Sequence, residues 1–96
     1  QAWRNIERTI AANDPRCRGV VLLGLSAPEQ ELIASFDAAA SAPIVKGFAV
    51  GRSIFVDAAQ GWMAGHMTDV QAIDDMAGRF AELCAAWLAT RDKAAA

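Results

Sequence analysis

The chain has 96 residues, with nine basic and eleven acidic side chains, a net charge of −2 and a hydrophobic content of 54%. That length holds one small domain, and that apolar content excludes a disordered chain. The near balance of charge leaves no electrostatic footprint for nucleic acid or for an anionic membrane surface.

Trp3, Ile6 and Ile10 recur at three- and four-residue spacing and predict an opening helix that stops near Asn13-Asp14-Pro15. The charges at Arg4, Glu7 and Arg8 do not fit a signal peptide. Gly19-Val20-Val21-Leu22-Leu23-Gly24-Leu25 is the longest apolar or glycine run. It falls far short of the roughly 20 residues that span a bilayer, and reads instead as a strand covered on both faces, as in a parallel sheet. Ser26-Ala27-Pro28-Glu29 then combines a capping serine, a first-turn proline and a glutamate three residues on, which starts a second helix. Leu32, Ile33, Phe36 and Ala40 form its buried face.

A second apolar strand is expected over Ile44 to Val50, followed by a helix led by Ser53 and running toward Gly65. Thr68 or Asp69 caps a last helix whose apolar positions, from Val70 and Ile73 through Phe80, Leu83 and Trp87 to Leu88, read as a core stripe. Asp74, Asp75, Arg79, Glu82 and Arg91 are assigned to its solvated side, and the residues from Asp92 to Ala96 to a fraying tail. The fold class is α/β, in the order helix, strand, helix, strand, helix, helix, with two parallel strands. Residues 1–96 form a single partial domain. Two strands leave edges unpaired and apolar faces half covered, so the expectation is self-association or further strands supplied from upstream.

Cys17 and Cys84 lack the paired spacing of a zinc or redox site, and His66 is the only histidine. No metal or cofactor is expected, and the cysteines read as reduced thiols in a cytoplasmic protein. The chemistry is concentrated where the second strand ends, at Lys46-Gly47-Phe48-Ala49-Val50-Gly51-Arg52-Ser53. Glycine lets the main chain approach an anion, the first amides of a helix have no internal partner, and arginine presents a fork matched to phosphate oxygens. The glycine spacing is not that of a nucleotide P-loop and lacks the dinucleotide fingerprint. Gly51, Arg52 and Ser53 are therefore candidate phosphate-binding residues of the kind found after the last strands of a (β/α)₈ barrel. Gly24 and Leu25, ending the first strand, are candidates for the same anion, although Ser26 is better explained as a helix cap. Lys46 is a candidate for Schiff-base chemistry or for a structural role. Strand alternation groups it with Phe48 and Val50, opposite Val45, Gly47 and Ala49.

The strings Cys17 to Leu25 and Lys46 to Phe55 resemble the C-terminal aldolase-like domain of the 5-dehydro-2-deoxygluconokinases of bacterial myo-inositol catabolism, in which a sugar kinase is fused to that domain. The likeness covers essentially the whole chain. It implies the last portion of a class I aldolase barrel similar to tagatose-bisphosphate aldolases: the helix after strand six, then strands seven and eight with their helices. Gly51 and Arg52 match the family's phosphate-holding position. The implied reaction is cleavage of 2-deoxy-5-keto-gluconate 6-phosphate to dihydroxyacetone phosphate and malonate semialdehyde, through a lysine imine expected upstream of Gln1. The alternative is a non-catalytic phosphosugar-binding or regulatory domain attached to a sugar kinase; a free-standing oligomerisation unit would make Gly51 and Arg52 incidental.

Overall fold

The computed structural model describes residues 2–25 and 27–95. It is an α/β structure in the expected order: α1 (Ala2–Asn13), β1 (Val20–Leu23), α2 (Glu29–Ala39), β2 (Val45–Ala49), α3 (Arg52–Met63) and α4 (Asp69–Ala95). Helix α1 ends where Pro15 removes a backbone donor, and the Asp14 carboxylate accepts from the Arg16 N–H at 3.0 Å to turn the chain. Proline opens α2 differently from the expected first-turn position: Pro28 is itself the N-cap residue, extended at ψ 151°, and no side chain caps the helix there. Ser26, the expected cap, lies outside the described residues. Ala39, not Ala40, completes the fully buried face of α2.

Thr68 rather than Asp69 caps α4, through a reciprocal box: its hydroxyl accepts from the Gln71 N–H at 3.1 Å, and its own N–H donates to Gln71 Oε1 at 2.9 Å. Gly65, at φ 77°, turns the chain out of α3 in a conformation that costs glycine little. The expected fraying tail is helical through Ala95.

The two strands pair in parallel, with Val20 opposite Val45 and then Val21, Leu22 and Leu23 opposite Gly47, Phe48 and Ala49. The jump between the first two pairs leaves Lys46 as an extra residue on β2. This shift overturns the simple alternation expected along the strand. Val45 is buried with Ala39 and Ala42, and Phe48 turns to the helices as well, while Lys46 is exposed. An added Cβ at Gly19 would meet the Lys46 stem and approach the Ile44 carbonyl to 3.1 Å, so only glycine fits beneath the lysine.

The core lies on one side of the sheet. Phe36, Leu83 and Leu32 are buried together, with Phe48 and Trp87 against them. The Phe36 ring sits 4.8 Å from that of Phe48 and meets Trp87 edge-on at 5.4 Å. Helix α4 packs against α2 and α3. Its apolar stripe is only partly core, however: Leu83 is buried, whereas Val70, Ile73, Phe80 and Leu88 are exposed. The other face of the sheet is bare, with Val21 and Leu23 each more than half exposed. Among the described residues, no helix is long and apolar enough to cross a membrane.

Candidate functional site

Parallel pairing sets the carboxyl ends of β1 and β2 side by side, and the segments that leave them are in contact. The Gly24 N–H donates to the Ala49 carbonyl at 3.0 Å, extending the ladder one step beyond β1. The chain then turns, with the Ala27 N–H donating to the Gly24 carbonyl at 2.8 Å. Inside that turn Leu25 takes φ 50°, a left-handed conformation unusual for a residue with a side chain, and is exposed.

Across from it, Gly51 is the N-cap of α3 and its carbonyl accepts from the N–H groups of Ile54 and Phe55 at 2.8 and 3.1 Å. The helical ladder therefore starts above Arg52 and Ser53, and the amides of this first turn have no acceptor within the helix. Arg52 is the first helical residue and is exposed. Helix α3 carries no acidic residue in its first turn, so nothing there opposes an anion. Ser53, expected to lead the helix, is its second residue. Its hydroxyl donates to the Ala27 carbonyl at 3.0 Å, so its only proton is engaged with the β1 loop.

Glycine at 24 is what allows this approach. A Cβ there would lie 2.9 Å from Val50 Cγ1 and 3.3 Å from Ser53 Oγ. Gly24→Ala is expected to push the two loops apart at a cost of about 1–3 kcal/mol, visible as a lower urea midpoint. An unchanged midpoint would mean that the contact is loose.

The same residues, over 1–91, match the family described as "Uncharacterized protein conserved in bacteria (DUF2090)". The chain belongs to the DUF2090 family. No curated protein and no solved structure matches it.

In this DUF2090 chain the structure brings Gly24, Leu25, Gly51, Arg52 and Ser53 to one end of the sheet but separates Lys46 from them. Lys46 is exposed near the start of β2, five residues before Gly51, or about 17 Å along an extended strand. Its side chain lies over Gly19 at the opposite end of the sheet. His66 is exposed, and Cys17 and Cys84 are half-buried free thiols. Among the described residues, no group of three His, Cys, Asp or Glu side chains could hold a metal ion.

The solvated face expected on α4 holds more structure than its sequence suggested. Arg79 bridges Asp57 of α3 at 3.0 Å and Asp75 at 2.9 Å, tying the two helices together. The bond to Asp75 raises the Arg79 guanidinium above its ordinary value. Arg91 is not on the solvated side: its guanidinium stacks over Trp87, 4.1 Å from the ring centroid. The pairs Asp75–Arg79 and Trp87–Arg91 lie four residues apart on one helix, a spacing that puts them on one face, whereas the bridge from Arg79 to Asp57 joins two helices and has no signal in residue spacing.

A hydrogen bond with Glu82 raises the Glu29 carboxyl above its ordinary value of 4.5, helped by desolvation and by the Glu82 charge, while Arg79 opposes the shift. The folded state thus holds this proton more tightly than the unfolded chain. Its contribution to stability is complete below the unfolded value and is lost as pH rises through the folded one. Glu29→Gln is accordingly expected to raise the melting temperature relative to wild type at neutral pH, with the gain vanishing below about pH 4. Thermal melts at both pH values test this, and an equal gain at each would refute it.

Proposed function

We propose that this chain is the phosphate-binding C-terminal part of a phosphosugar aldolase, the last portion of a (β/α)₈ barrel. In that reading the enzyme cleaves 2-deoxy-5-keto-gluconate 6-phosphate into dihydroxyacetone phosphate and malonate semialdehyde. The observation that carries the reading is the junction of the two strand ends, where Gly24 abuts Val50 and Ser53 while Gly51 and Arg52 open α3 beside them. Substrate phosphates in such barrels are held at the carboxyl ends of the last strands, by loop amides and the start of a helix.

Each residue has a role. Gly51 allows the anion close to the main chain, the Arg52 and Ser53 amides donate to it, and the Arg52 guanidinium adds a charged fork. Gly24 and Leu25 present the neighbouring loop. The Ser53 hydroxyl acts on that loop rather than on the phosphate, because its proton is bound to the Ala27 carbonyl.

The bond-breaking step falls to a lysine outside this chain. Its amine condenses with the substrate ketone and releases water; the resulting iminium accepts the electron pair of the breaking carbon-carbon bond while the hydroxyl on the departing carbon gives its proton to a base and becomes the aldehyde, and protonation and hydrolysis of the enamine release dihydroxyacetone phosphate and the free lysine. Lys46 is a poor candidate for that amine, being exposed at the far end of β2. The isolated chain is therefore expected to lack aldolase activity.

The test is binding of dihydroxyacetone phosphate and inorganic phosphate to the full-length parent, then borohydride reduction in the presence of the ketose phosphate and mapping of the modified lysine. Reduction onto an upstream lysine supports the lyase. Trapping at Lys46 would move the catalytic centre into this chain, and binding without trapping would favour a regulatory phosphosugar module.

A further inference from the structure

Among the described residues Leu25 is the one non-glycine with a positive φ, at 50°, and it is 74% exposed. Each half of that observation calls for a reason. A left-handed backbone brings Cβ too close to the following carbonyl, which is why glycine ordinarily holds such positions. Burying the side chain would offset the cost, and Leu25 leaves most of its surface in solvent. Stability alone would be served better by glycine, as it is at Gly65, where φ is 77°.

Three hydrogen bonds fix the loop around this residue. The Gly24 N–H donates to the Ala49 carbonyl, the Ala27 N–H closes the turn onto the Gly24 carbonyl, and the Ser53 hydroxyl holds the Ala27 carbonyl from α3. The strained backbone is therefore kept by its surroundings, the situation in which strain marks a working part of a site.

Position says what the side chain serves. A Cβ added to Gly24 would lie 2.9 Å from Val50 Cγ1, and Leu25 follows Gly24 as Gly51 follows Val50. The leucine thus leaves the end of β1 beside the segment that opens α3 with Gly51 and Arg52, both exposed. The first amides of α3 and the Arg52 guanidinium match a phosphate group, but they have nothing to distinguish the molecule that carries it.

We propose that Leu25 supplies that distinction. The inference rests on the phosphate reading of this site and names its preference: the leucine side chain packs on the carbon skeleton next to the bound phosphate, so a phosphate ester is favoured over free phosphate.

Calorimetric titration of the intact protein with dihydroxyacetone phosphate and with inorganic phosphate tests it, using wild type, Leu25→Ala and Leu25→Gly. Wild type is expected to bind the ester more tightly than the free ion. Both substitutions are expected to weaken ester binding by about tenfold, the low end of what lost apolar contact with a ligand brings, and to leave the affinity for inorganic phosphate unchanged. Urea unfolding checks the backbone premise: Leu25→Gly should be more stable than Leu25→Ala, the reverse of the order at ordinary backbone angles. Equal losses for the two ligands, or no loss for either, would overturn the proposal while leaving the phosphate reading in place. So would a Leu25→Gly variant less stable than Leu25→Ala, because the left-handed conformation would then be absent. A wild type that binds neither ligand would remove the phosphate reading and this inference with it.

Discussion

Replacing Phe36 with alanine is expected to destabilise the chain by about 3–5 kcal/mol, the usual cost of deleting a fully buried phenylalanine. Phe36 is completely buried and sits where every layer meets: it contacts Phe48 of β2 and Trp87 of α4, and shares a cluster with Leu32 and Leu83. No neighbour can collapse into the space cheaply, because the rings of Phe48 and Trp87 are also set against each other at 5.8 Å. A small domain has only about 5–15 kcal/mol of stability in total, so the variant should unfold at far lower urea and lose near-ultraviolet aromatic dichroism. Phe36→Leu, which keeps most of the volume, should recover much of the loss. Equal midpoints for Phe36→Ala and wild type would mean that the core is organised elsewhere.

On the proposed phosphate-site reading, Arg52→Ala is expected to weaken phosphosugar binding by about 1.5–3 kcal/mol, the worth of a hydrogen bond to a charged group. The fold should be untouched, since Arg52 is exposed at the start of α3 and alanine is a good helix former there. Arg52→Lys should recover only part of the affinity, because an ammonium keeps the charge but not the planar fork. Calorimetric titration with dihydroxyacetone phosphate distinguishes these outcomes. Affinity indifferent to both substitutions would remove Arg52 from the site and leave the strand-end junction as a packing feature.

Much of the local architecture was legible because short-range rules govern it. Pro15 and Gly65 end helices, Thr68 or Asp69 was expected to start one and Thr68 does, and uninterrupted apolar runs mark the strands. The convergence of Gly24 with Ser53 was only half legible. Two strand ends carrying glycine suggested a shared anion site, but nothing in the sequence showed that the Ser53 hydroxyl would be taken by the Ala27 carbonyl. The face occupied by Lys46 was misread for a similar reason. Strict alternation holds along a regular strand, and the shift between Val20 and Val21 that breaks it is a property of pairing with β1.

The terminal helix shows the same division. Apolar spacing from Val70 to Leu88 correctly predicted a helix with an apolar side, yet spacing is blind to whether anything lies against that side.

By itself, then, the sequence determined the order of helices and strands, the α/β class and the glycine-arginine turn after β2, because each depends on propensities and caps within a few residues. Tertiary structure alone decided three things: that the two strand-end loops touch, that Lys46 is carried away from them, and that much of the α3 and α4 apolar surface is left bare. The first two are settled by the pairing and register of strands distant in the chain, and the third by which surfaces the fold has partners to bury.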